Sequence, residues 1–121
     1  GNGFVPFHPR LLELGFLDYL RVIRSRKHQK LVPSLKKMRS TGYGTPISRW
    51  FARYLKKLGI KKKDKNFHSF RHTIVSRLTT MQVYQPFIKE LIGHSHGSIT
   101  MDVYGGKKPL EVLFNECVIK I

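Results

Sequence analysis

Acid is what this chain has least of. Seven Asp and Glu stand against 23 Lys and Arg in 121 residues, a formal charge of +16 at pH 7. None of the seven acids lies between Asp18 and Asp64. So large a cationic excess goes beyond what solubility requires and implies a polyanionic partner, of which nucleic acid is the commonest. Cysteine is nearly missing too: Cys117 stands alone, which excludes an internal disulfide and fits a reducing cytoplasm. An anionic membrane surface is the rival partner, but there is no apolar run of about 18 residues, no signal-peptide pattern and no lipidation motif, so nothing argues for insertion or export. With no internal repeat and no low-complexity stretch, the chain reads as one domain or a piece of one.

What is present is mostly helical pattern. Phe4-Val5-Pro6-Phe7 reads as the end of an extended segment that starts abruptly, as if an upstream part were missing. His8-Pro9-Arg10 opens a helical region, and Leu11, Leu12, Leu14, Phe16, Leu17, Leu20, Val22 and Ile23 form an apolar face interrupted at Gly15. Arg21, Arg24, Arg26 and Lys27 crowd its end, where cations suit the helix dipole whether or not they touch DNA. Leu31-Val32-Pro33 reads as extended. Lys36, Lys37 and Arg39 then lie in a glycine-containing loop that serves equally as a phosphate contact or a solvated connector.

From Thr45 as N-cap and Pro46 as first residue, a helix is expected to run to Gly59. Its apolar face is Ile47, Trp50, Phe51, Tyr54, Leu55 and Leu58, and its other face is Arg49, Arg53, Lys56 and Lys57. A solvated helix mixes the signs of its charges. This one does not, which makes Arg49 and Arg53 DNA-contact candidates. Further on, the patterns place helices at about Ser69 to Thr80, with Phe70, Ile74, Val75 and Leu78 buried, and at Gln85 to Ile92 ended by Gly93. A short segment follows from Ile99 to Tyr104, with Gly105-Gly106 giving the phenol room. A last helix starts near Pro109, with Leu110, Leu113, Phe114, Cys117 and Val118 as its stripe. The expected fold is mainly α, with at most a small β element near the N-terminus.

Chemistry concentrates between Asn66 and Gly106. His68, Arg71, His94 and Tyr104 supply a phenol nucleophile, a guanidinium for phosphoryl oxygens and imidazoles for protons and hydrogen bonds, the groups that a covalent attack on a phosphodiester uses. His68 and Arg71, three apart at a helix start, point at one anion together with the helix N–H groups. The pairs His68/His72 and His94/His96 also raise zinc, but no Cys or zincin-type Glu accompanies them, and no metal is assigned.

The order His68-Ser-Phe-Arg71-His72, then Leu91-Ile-Gly-His94-Ser, then Tyr104 resembles the C-terminal half of the catalytic domain of the tyrosine recombinases, the phage integrase family. Val5 to Tyr19 is similar to the strand-to-helix entry of many prophage integrases, and Ser48 to Ile60 to the helix before their His-x-x-Arg box. The resemblance covers the whole chain, residues 1–121. It implies a compact multi-helix DNA breaking-rejoining fragment in which Tyr104 forms a 3′-phosphotyrosyl linkage, Arg71 stabilises the non-bridging oxygens, and His68 and His94 hydrogen-bond the phosphate, His68 also taking the phenol proton. No cofactor and no small-molecule substrate is implied. The partners are double-stranded DNA at an attachment or recombination site and further recombinase protomers in a synaptic complex, in a bacterial or prophage-encoded, nucleoid-associated setting. A second arginine and a general-acid lysine of the family are expected upstream of Gly1, so this fragment is expected to be inactive alone. The other readings are a non-catalytic DNA-binding module such as a decayed integrase, a type IB topoisomerase-like enzyme and a zinc-binding regulator. For the last helix, packing in cis and packing on a neighbouring protomer both stand.

Overall fold

The computed structural model describes residues 4–93 and 104–121. Among them are six α-helices: α1 (Pro9–Glu13), α2 (Phe16–Ser25), α3 (Gly44–Lys57), α4 (Ser69–Thr80), α5 (Gln85–Ile92) and α6 (Pro109–Glu116), followed by a 3-10 turn at Val118–Lys120. The chain divides into two units. One is residues 17–71, and the other joins residues 1–16 to residues 72–121.

In the unit of residues 17–71, α2 stops where Lys27 takes a left-handed φ of 58°. There the N–H of Lys27 bonds to the Arg24 carbonyl at 3.0 Å and that of His28 to the Ile23 carbonyl at 3.1 Å. Leu31-Val32-Pro33, expected to be extended, is not. Bends give way to a turn closed by Leu35 N–H on the Val32 carbonyl at 3.1 Å, because Pro33 presets the φ that the second position of such a turn requires. The Tyr19 hydroxyl donates to the Leu31 carbonyl and fastens this loop to α2. The isolated bridge between Met38 and Gly42 is the single β pairing among the described residues. Residues 4–8 carry none, within the expectation of at most a small β element near the N-terminus.

Helix α3 begins at Gly44, with Tyr43 as a cap that makes no side-chain bond. Thr45 is therefore inside the first turn rather than the cap, and Pro46 is tolerated there because that N–H has no helical acceptor. Only Phe51 and Leu55 of its apolar face are buried, while Trp50, Tyr54 and Leu58 stay exposed. Phe51 meets Phe67 edge-on at 5.2 Å and Phe70 at 5.5 Å, an aromatic cluster that holds α3 to the segment leading into α4. Gly59 ends α3 at φ 71°, with Gly59 N–H on Lys56 and Ile60 N–H on Leu55, the paired bonds of a Schellman cap.

The second unit has its core at Leu78, Val83, Ile88 and Cys117, with Ile74, Val75, Phe87 and Leu91 packed against it. Leu78 and Cys117 are wholly inaccessible. Phe70, expected on the same buried face of α4, is 57% exposed, since its ring joins the Phe51–Phe67 cluster rather than this core. Val112, Leu113, Cys117 and Val118 bury the C-terminal segment on its own chain, whereas Leu110 and Ile119 remain exposed. At the other end, the break between α1 and α2 falls at Gly15, φ 89°, and Phe7 packs edge-on to Phe16 at 5.2 Å. His8 accepts the Arg10 N–H at Nδ1, 3.0 Å, and its Nε2 lies 3.2 Å from the main-chain oxygen of Ile121. One imidazole thus caps α1 and ties it to the chain end.

Candidate active site

His68 owes its place to a small turn. Asn66 N–H donates to the Ser69 hydroxyl at 3.0 Å, that hydroxyl lies 3.3 Å from the Asp64 carbonyl, and Ser69 N–H donates back to the Asn66 carbonyl at 3.1 Å. Ser69 is the first residue of α4, so these bonds fix the turn and the helix start together and set His68 between them. Arg71 follows in the first turn and is half-buried. No acid occupies that turn. The arginine cation at a helix N-terminus opposes the dipole, an arrangement that an anion bound there would relieve. His68 also lines a cleft of about 180 Å³ with Ser48, Phe51, Ala52, Lys61, Asn66 and Phe67.

Tyr104 belongs to the other unit. Its ring stacks on Phe87, centroids 5.8 Å apart and planes 17° from parallel, and the residue is 5% exposed. Lys107 N–H closes a turn on the Tyr104 carbonyl at 3.0 Å, through Gly105 at φ 57° and Gly106 at φ 77°. A Cβ on either glycine would meet nothing within 4 Å. The pair allows two successive left-handed residues at this turn. An open cleft of about 400 Å³ lies alongside, bordered by Phe87, Lys107, Glu111, Asn115 and Glu116 among others.

Burial pushes the Tyr104 phenol above its ordinary value, and the charges of Glu90 and Cys117 add to the rise. A nucleophilic phenol needs the opposite, a base and cations that favour its oxyanion. In this state the hydroxyl is protonated and shielded. Phe87 and Glu90 had no signal in the sequence reading, since an aromatic and an acid on an amphipathic helix are ordinary core and surface choices. Gly93 caps α5 in the left-handed region at φ 71°, as its place in the Leu-Ile-Gly box predicts. His94 and His96 lie outside the described residues, as does the stretch from Ile99 up to Tyr104.

The five candidate DNA-contact residues, Lys36, Lys37, Arg39, Arg49 and Arg53, are all exposed and all in the unit of residues 17–71. Charge divides the same way. That unit holds 17 of the 23 Lys and Arg but only two acids, Asp18 and Asp64, a formal +15, leaving +1 for the unit that contains Tyr104. Asp18 is already engaged, 2.8 Å from Arg21.

No curated protein and no solved structure matches the chain. The phage integrase family model matches residues 19–109, three quarters of the sequence and a span that contains His68, Arg71, His94 and Tyr104. With its helical fold, and with DNA as the partner that membership brings, the chain belongs to the phage integrase family, the tyrosine recombinases.

Proposed function

We propose that this chain is the C-terminal catalytic portion of a site-specific DNA recombinase and that Tyr104 is its nucleophile. The phenolic oxygen attacks a DNA phosphorus. As that O–P bond forms, the bond to the 5′ oxygen breaks, leaving a 3′-phosphotyrosyl linkage and a free 5′-hydroxyl. His68 takes the phenol proton, Arg71 neutralises the non-bridging oxygens, and His94 hydrogen-bonds the phosphate. The proton for the leaving oxygen comes from a lysine which, with a further arginine, the resemblance places upstream of Gly1. Removing one strong donor to a phosphoryl transition state costs ~10²–10³ in rate, so the 121 residues alone are not expected to complete strand exchange. Because the linkage conserves the phosphodiester energy, rejoining needs neither water nor a nucleotide cofactor. The substrate is duplex DNA at a recombination or attachment site, held by further protomers.

The observation that carries this reading is the family match across residues 19–109, a span that takes in all four groups. The raised phenol agrees with a nucleophile kept neutral until DNA supplies the phosphate and draws the cations in. The test uses the chain extended upstream to include the arginine and lysine, incubated with nicked duplex that traps the cleaved intermediate, with the 121-residue chain in parallel. A denaturant-resistant adduct mapped to Tyr104, lost in Tyr104→Phe and reduced ~10²–10³-fold in Arg71→Ala, is expected from the extended chain. Salt-sensitive binding without any adduct from that chain would leave a DNA-binding module as the better account.

A further inference from the structure

The aromatic face of α3 is the feature the catalytic reading leaves unused. Trp50 and Tyr54, one helical turn apart, stack with centroids 5.5 Å apart and planes 9° from parallel. They are 53% and 44% exposed. Between them on the chain, Phe51 is buried and packs on Phe67. The helix is therefore anchored by one aromatic and presents two others to solvent. Exposed Arg49, Arg53, Lys56 and Lys57 lie on the same helix, to one side of the pair, and no acid occurs from residue 19 to residue 63.

We propose that Trp50 and Tyr54 form a stacking platform for unpaired bases of DNA, with Arg49 and Arg53 holding the adjoining phosphates. Charge selects the occupant. A protein seated on this face would have to bring acids to meet at least four cations, whereas a nucleic-acid strand brings both phosphates and flat rings. Duplex DNA offers phosphates only, because its ring faces are occupied by neighbouring bases, so an aromatic pair gains contact only where bases have left the stack. Such bases arise whenever a cleaved strand separates from its complement before joining another. The proposal takes DNA as partner from the family but does not depend on Tyr104 chemistry, since it concerns equilibrium binding.

Trp50 is the single tryptophan, so its fluorescence reports the platform without any substitution. Titrating the 121-residue chain with a thymidine oligonucleotide of about a dozen nucleotides should quench it, and a duplex of equal length at the same salt should quench it much less. Read by anisotropy of a labelled oligonucleotide, Trp50→Ala and Tyr54→Ala should each weaken single-strand binding by about tenfold, with duplex binding changed less than about twofold and Trp50→Phe retaining most of the affinity. Equal losses on single strand and duplex, or no preferential quenching, would overturn the proposal. So would a fluorescence change that follows protein concentration without DNA and sediments as a dimer, which would assign the face to a second copy of the chain. A missing Tyr104 adduct would leave these results standing.

Discussion

The ring of Tyr104 lies nearly parallel to that of Phe87, 5.8 Å away, on the same unit as the buried thiol of Cys117. Both groups are acids that the fold keeps neutral. Burial raises the thiol from its ordinary value of 9.0, with Lys120 opposing and Glu116 assisting, and burial raises the phenol from 10.0. Unfolded, each ionises near its ordinary value. Between that value and the higher folded one, the unfolded chain has lost a proton that the folded chain keeps, so stability must fall as pH rises. The loss should begin above about pH 9 through Cys117 and steepen above about pH 10 through Tyr104. Urea unfolding at stepped alkaline pH checks it: Cys117→Ala and Tyr104→Phe should each flatten the decline, and unchanged slopes in both would contradict the assignment.

Two residues of α4 separate core from surface. Leu78 is fully buried among Val83, Ile88 and Cys117, so Leu78→Ala should cost about 2–5 kcal/mol, the transfer loss plus the cavity. Phe70 is over half exposed and packs on the Phe51 and Phe67 rings, so Phe70→Ala should cost about 1 kcal/mol or less. Thermal or denaturant unfolding of the two variants measures the gap, which a helix buried along its whole apolar face would abolish.

These same residues show how far the sequence could be read. The spans of α4 and α5 and the break at Gly15 follow from apolar spacing and from glycines placed where a left-handed residue is needed, signals carried by the local chain itself. Which apolar residues are buried is not local. Phe70 and Trp50 fit their helical stripes as well as Leu78 and Phe51 do, and only the partners brought by distant segments decide between them. Of the candidate site, the position of His68 and Arg71 at the start of α4 was legible, because the apolar spacing begins a helix at Ser69. The cover over Tyr104 was not, since Phe87 lies seventeen positions away on α5 with nothing in its spacing to mark it.

Left-handed residues that are not glycine make a third test. Gln82 ends α4 at φ 58°, with its N–H on Thr79 and that of Val83 on Leu78, 3.0 Å each, the same pair of bonds that Gly59 makes possible after α3. A side chain in this region costs roughly 1–2 kcal/mol, partly offset by the extra unfolded-state freedom of glycine. Gln82→Gly should therefore stabilise by about 0.5–1 kcal/mol. Gly93→Ala, at φ 71° and with open space around its Cβ, should destabilise by about 1 kcal/mol. Opposite signs in matched melts support the cap reading. Equal signs would mean that side-chain contacts, not φ, set the cost.

Charge segregation predicts where salt acts. Each neutralised duplex phosphate contributes about 0.9 to the slope of log affinity against log salt. Substituting alanine at Lys36, Lys37 and Arg39 together should lower that slope by about 1 to 3, and at Arg49 and Arg53 by about 1 to 2, according to how many phosphates each set touches. Lys107 and Lys108, equally exposed but in the unit of net +1, should change it by less than about 1 when both are removed. Fluorescence anisotropy with labelled duplex across a salt series reads all three variants on one scale. If charge acted only through the overall +16, the slope would fall in proportion to the number of cations removed, whichever unit held them. A loss confined to residues 17–71 instead means that this unit carries the phosphate contacts.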